Sequence, residues 1–204
     1  MTIVIVIATR IEAEPFIQGL DMKEIEARPF PIYTGSGACL VISGIGKVNA
    51  GMATSYACLK LDPACILNMG AAGATVDSKE LGEIFLVEKT IEPDRLHLRT
   101  NTPYIQHPDL LDGFTTAILA TQDNPVIDVD TFRAMASVAD LVDMEGAAVV
   151  QASKRFNKRC LLFKYVSDTP ANAGQEELIF RQIKFFRGPF CDFILNSAIP
   201  IIYQ

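Results

Sequence analysis

From the amino terminus, Ile3 to Ile7 is an unbroken β-branched run, the pattern of a central strand covered on both faces. The chain then turns through Ala8-Thr9-Arg10 into Ile11-Glu-Ala-Glu14. Pro15 suits the first turn of a helix, which places Glu14 at a strand-to-helix junction. Residues 29–33 and 38–42 read as strands about a Gly35-Ser-Gly37 turn. Beyond Ser43-Gly-Ile-Gly-Lys-Val-Asn49, the residues Val48, Met52, Tyr56 and Leu59 recur at helical spacing. Residues 64–67 form a short buried strand ending in a small-residue loop, Asn68 to Ala74, and 82–88 is a further strand. Residues 91–108 are polar, hold three prolines and both histidines (His97 and His107), and read as irregular.

The second half repeats the alternation. Residues 109–120 suit a helix, 121–128 a turn and a short strand, and 131–139 a short helix capped by Thr131. Leu141-Val142 leads into Asp143-Met-Glu145, and from Gly146 a helix carries Ala148, Val149, Ala152 and Phe156 on one face. Residues 160–166 form an apolar strand, interrupted by Lys164, that ends at Ser167-Asp168-Thr169-Pro170. A helix over 175–187 should break at Gly188-Pro189, before the oily tail Ile199 to Tyr203. That tail either packs into the core or marks a subunit contact. Strands alternating with helices give an α/β sheet whose ligands sit beyond the carboxyl ends of its strands.

Length and composition narrow the picture. A chain of 204 residues, half hydrophobic, fits one domain over residues 1–204. The net charge of −6 argues against a nucleic-acid partner. The densest basic group, Lys154, Arg155, Lys158 and Arg159, closes a helix and complements its dipole. Five scattered cysteines without a Cys-x-x-Cys pair argue against a zinc site or a disulfide framework. The first residues lack a basic n-region and are too short to span a bilayer, so a cytoplasmic protein without a membrane partner is expected.

Three carboxylates, Glu14, Glu145 and Asp168, fall at strand ends and hence along one rim of the sheet, with Glu12 close to the first. Acids without ligand histidines suit acid/base work on a polar organic substrate. Glycosidic cleavage needs one group to protonate the leaving group, one to activate water and one to anchor the sugar. Glu145, beside free backbone N–H groups at a helix start, is expected to stay ionised.

At these residues the chain resembles the nucleoside phosphorylase/nucleosidase superfamily. The resemblance rests on Glu12-Ala-Glu14 after the first strand, Ser43-Gly-Ile-Gly-Lys-Val-Asn49, Asn68-Met-Gly-Ala-Ala-Gly73, Asp143-Met-Glu-Gly-Ala-Ala148 and Val166-Ser-Asp168, in register over nearly the whole chain. It implies a three-layer α/β/α sandwich with a central mixed sheet, assembled as a homodimer or higher homo-oligomer. It implies a purine-nucleoside substrate, 5′-modified in the manner of methylthioadenosine, S-adenosylhomocysteine or futalosine, with no cofactor and no metal.

By position, Glu145 holds the ribose hydroxyls, Met144 packs on the sugar, and Asp168 is the acid at the purine, placed by Ser167. Glu14, or alternatively Glu12, activates water. Ala72 and Gly73 line the ribosyl and base pocket, and Asn124 to Val126 contact the base. Phosphorylases of the family bind phosphate with an arginine and a serine that Asn68 to Gly73 lack, so hydrolysis is expected over phosphorolysis. Related nucleosidases carry a serine where Ala71 stands and an arginine where Lys164 stands. That departure leaves a catalytically weak nucleoside-binding member as a further alternative.

Overall fold

The computed structural model describes residues 2–203. One mixed sheet organises the chain. Its central strand β1 (Ile3–Ile7) pairs in parallel with β4 (Ala38–Ile42) on one side and β5 (Cys65–Ala74) on the other. Beyond β4 lie β3 (Ile32–Gly35) and the edge strand β2 (Lys23–Glu26), both antiparallel.

On the far side, β10 (Arg159–Asp168) runs parallel to β5 and antiparallel to β6 (Ile84–Leu96). β8 (Thr116–Thr121) pairs with β6 and with β9 (Leu141–Asp143), which returns to β5. Strands β5, β10, β6, β8 and β9 therefore close into a ring at one end of the sheet. A short β7 (Pro103–Gln106) extends β6 as a hairpin.

Side-chain alternation along β1 decides the layers. Ile3, Ile5 and Ile7 face a cluster with Phe16 of α1 (Arg10–Gly19) and Phe190 of α5 (Glu176–Phe193). Val4 and Val6 face the other way, towards Ala53 and Ala57 of α2 (Lys47–Leu61) and Val149 and Val150 of α4 (Gly146–Arg155). All five β1 side chains are fully buried. Each contributes about 1.5–3 kcal/mol of apolar burial, which explains why this run carries no polar residue. The result is the expected three-layer α/β/α sandwich around a mixed sheet. Among the described residues, no helix is long and apolar enough to cross a membrane.

Several local expectations are corrected. Asn68 to Ala74 is not a loop but the second half of β5. Residues 91–108 are not irregular, because β6 runs on to Leu96 and pairs with β7. Within 109–120 there is no helix; a Gly113 turn leads into β8, seated between β6 and β9. No strand forms between Thr121 and Asp128. The next helix, α3 (Val129–Met135), is capped by Asp128, whose carboxylate accepts the Thr131 N–H at 2.8 Å.

Gly188-Pro189 does not break α5. The helix continues through a π turn at Ile194–Ala198 into α6 (Ile199–Ile202). The Phe185 carbonyl that Pro189 deprives of its helical donor belongs to a residue that is 70% exposed, on the solvent side of the helix. The tail packs inward, with Ile194, Ala198 and Ile202 in the core.

Pro15 lies inside α1, not in its first turn, because Thr9 is the N-cap and Arg10 the first helical residue. The Ile11 carbonyl thereby loses its helical donor. Arg187 of α5 supplies a replacement, donating from Nη1 to the Ile11 carbonyl at 2.6 Å while pairing with Glu14 at 3.2 Å. Arg187→Met should destabilise the protein by about 1–2 kcal/mol. In a Pro15→Ala background, where residue 15 regains an N–H for Ile11, the same change should cost less than half as much. A double-mutant cycle by urea denaturation reads the difference.

Candidate active site

The carboxyl ends of β1, β5, β9 and β10 and the loop after β4 converge on a pocket of about 440 Å³. Its lining includes Glu12, Ala72, Gly73, Asn124, Val126, Met144, Glu145, Ser167 and Asp168, so nine residues singled out from sequence meet in one place. Glu14 does not belong to it. Two helical positions in α1, about 200° of turn, separate the two faces: Glu12 turns into the pocket, while Glu14 is half-buried on the outer side and paired with Arg187.

Glu12 sits in the first turn of α1 and is 9% exposed. Its Oε1 accepts the Ala71 N–H at 2.9 Å, and its Oε2 accepts the Thr9 hydroxyl at 2.6 Å. The small residues of β5 make this possible. A Cβ on Gly70 would lie 2.9 Å from Glu12 Oε1, and one on Gly73 would lie 2.7 Å from Asp168 Oδ2. These glycines let two carboxylates approach one strand from opposite ends of the chain.

Asp168 follows a register shift between β10 and β5, where Ser167 is the extra residue. Ser167 donates to Asp168 Oδ1 at 2.5 Å and contacts the Ala72 carbonyl at 3.3 Å. Burial raises the Asp168 pKa, against the opposing pull of the Ser167 hydrogen bond.

Glu145 occupies the N-cap position of α4 but does not cap it. Asp143 takes that part, accepting the Gly146 N–H at 2.9 Å, and Thr121 accepts the Ala147 N–H at 3.0 Å. The Glu145 side chain reaches instead to Gly46, whose N–H it accepts at 2.7 Å. The anion that the Ser43 to Gly46 loop holds through its backbone is thus the chain's own carboxylate. Burial and the neighbouring Asp143 charge push Glu145 up to about 7, with Lys164 and the Gly46 N–H pulling the other way. The surroundings therefore do not favour the ionised Glu145 expected from the sequence, because the helix start that would have stabilised its charge is already occupied by Asp143.

Lys164, which interrupts the apolar run of β10, is 1% exposed and lies behind the pocket. Its Nζ pairs with Asp143 Oδ2 at 2.9 Å, and Asp143 Oδ1 accepts the Thr121 hydroxyl at 2.6 Å. Burial works against its charge, but Asp143 and Glu145 more than offset that and its pKa is raised.

Sequence reading missed the remaining lining residues Thr9, Ile45, Ile127, Glu176, Ile179, Phe180 and Ile183. For Thr9 a signal was available, since Thr9-Arg-Ile-Glu12 has the spacing of a capping box. The apolar residues of α5 carried none, since their period is that of any core-facing helix.

A buried acid cluster at the strand ends of a three-layer sandwich defines an α/β protein built for acid/base chemistry on a polar ligand. The chain belongs to the phosphorylase superfamily, whose family model matches residues 2–122 and 114–188. It is 28% identical to the 5′-methylthioadenosine/S-adenosylhomocysteine nucleosidase of Oceanobacillus iheyensis, over 78% of this chain and 80% of that protein. Among solved structures, it superposes on a futalosine hydrolase variant of Helicobacter pylori with a TM-score of 0.85, 18% identity, and coverage of 98% of this chain and 99% of that one. A Helicobacter pylori nucleosidase variant holding 5′-methylthioadenosine in its active site gives a TM-score of 0.86 at 19% identity, covering 98% of each chain.

Lys164→Met would leave Asp143 buried without its counter-charge and should cost about 3 kcal/mol or more of stability in urea. Adding Asp143→Asn should recover most of that loss.

Proposed function

We propose that this protein hydrolyses the N-glycosidic bond of a 5′-modified purine nucleoside and releases the free base. The observation that carries the reading is the pocket's charge pattern. Glu12, Asp143, Glu145, Asp168 and Glu176 line it, and no Lys, Arg or His does. An anionic nucleophile such as phosphate has no cationic partner in that lining, whereas water finds acceptors.

In this reading Asp168 gives its proton to purine N7 as the bond between C1′ and N9 breaks and its electron pair passes to the base. Glu145 accepts hydrogen bonds from the ribose hydroxyls, and a nucleoside displaces the Gly46 contact or shares it. Water held by Glu12 adds to C1′ and its proton passes to that carboxylate, so base and free sugar are the products. Met144 packs on the sugar, Ala72 and Gly73 flank the ribosyl and base positions, and Asn124 and Val126 meet the base. The names of the relatives support a 5′-thio-substituted adenosine or futalosine as substrate class. The cation-free lining suits an uncharged 5′ group better than a carboxylate-bearing one. The chemistry calls for no cofactor.

A homo-oligomer belongs to the same reading, but its support moves from the tail to α2. Val48, Met52 and Leu59 are 70%, 52% and 74% exposed along that helix, continuous with exposed Ile45 at the pocket. Five buried free thiols fit a reducing, cytoplasmic setting.

A panel of methylthioadenosine, S-adenosylhomocysteine, inosine and futalosine, followed for free base with and without phosphate, tests the proposal. Phosphate-independent base release is expected. Strictly phosphate-dependent release with a sugar 1-phosphate product would overturn it. Asp168→Asn should lower turnover by about 10²–10⁴-fold with the fold intact, checked by circular dichroism.

A further inference from the structure

We infer that Thr9 is a positioning residue for the nucleophile side of the reaction: its hydroxyl fixes the Glu12 carboxylate in the pocket. This rests on Glu12 being the group that activates water.

The spacing Thr9-x-x-Glu12 ordinarily forms a reciprocal capping box, in which the glutamate folds back onto the N-cap backbone N–H. Only half of that box is formed here. Thr9 Oγ1 accepts the Glu12 N–H at 3.3 Å and so caps α1. The Glu12 side chain is instead carried across to β5, where Oε1 accepts the Ala71 N–H. The Thr9 hydroxyl has one proton; with the Glu12 N–H arriving at its lone pair, that proton is committed to Oε2 at 2.6 Å.

Each carboxylate oxygen therefore has one fixed donor and keeps a lone pair for water. Ala71 offers only its backbone, so Thr9 is the side-chain hydroxyl that orders this carboxylate, and it lines the pocket beside it. Without it, one oxygen of a 9%-exposed carboxylate would lose its partner, and the side chain would regain freedom about its terminal torsion.

The test compares Thr9→Val, Thr9→Gly and Thr9→Ser. Glycine is a tolerable N-cap, so Thr9→Gly removes the hydroxyl while sparing most of the helix start. Kinetics of base release from methylthioadenosine are set against binding of formycin A, a carbon-linked adenosine analogue that cannot be cleaved. For both Val and Gly, kcat should fall about 10- to 100-fold while KM and formycin A affinity stay within about twofold, and Ser should restore kcat to within about threefold.

A purely structural cap predicts otherwise: a lower Tm with kcat unchanged, or kcat and formycin A binding lost together. Either result overturns the inference. Glu12→Gln separates the two levels of the argument. If it retains wild-type turnover, the assignment of Glu12 itself fails. If it is inactive while Thr9→Val and Thr9→Gly are normal, only the role of Thr9 fails.

Discussion

The buried ammonium of Lys164, 2.9 Å from Asp143, is the constraint on which the pocket depends. Asp143, Glu145 and Glu12 all contribute to holding its charge, so one cation stands behind three acids brought from both ends of the chain. Removing a charged group from water is costly, and the pair persists because Asp143 is also saturated by the Thr121 hydroxyl and the Gly146 N–H. That saturation frees Glu145 from capping α4 and lets its side chain turn towards Gly46 and the ligand space. The cation itself pairs with Asp143 and does not line the pocket, whose charged lining residues are therefore all acids.

Division of labour among these acids follows from their surroundings. Asp168 has a pKa that burial raises against the pull of the Ser167 hydrogen bond, with no contribution from Lys164. Glu145 feels burial and Asp143 on one side and Lys164 on the other, and settles near neutrality. Glu12 is held by two hydrogen-bond donors, one from β5 and one from Thr9. In the proposed function, a ligand with a basic ring nitrogen at one end and hydroxyls in the middle meets Asp168 as donor, Glu145 as acceptor and Glu12 as the group that holds water. This is how a single fold can perform acid and base chemistry in one cavity.

Much of this was legible in the chain because strong periodicity survives tertiary context. β1, α2, α4 and the apolar part of β10 lie where their patterns put them, and Glu145 and Asp168 were located by the junctions they occupy. The failures have physical causes. Gly70, Ala71, Ala72 and Gly73 look like a loop because small residues usually mark one; here they are small because Glu12 and Asp168 press against a strand. Residues 109–120 suit a helix by their pattern, but the place between β6 and β9 selects a strand from Thr116 onward. Pro15 and Pro189 would end a helix in isolation, yet Arg187 takes the carbonyl that the first frees and the second frees one on an exposed residue. Which of Glu12 and Glu14 enters the pocket turns on where α1 begins, which the Thr9-x-x-Glu12 spacing signals and Pro15 obscures.

The most direct measurement is a carbon-13 titration of the glutamate side-chain carboxyls in the ligand-free protein, with the Glu145 signal assigned by its loss in Glu145→Gln. A raised pKa means that the signal keeps its protonated shift through the ordinary carboxylate range and ionises only on approach to neutrality, with a midpoint of about 7. A midpoint at the ordinary value for a glutamate would contradict the account, because it would show that burial and Asp143 do not govern the charge of the pocket.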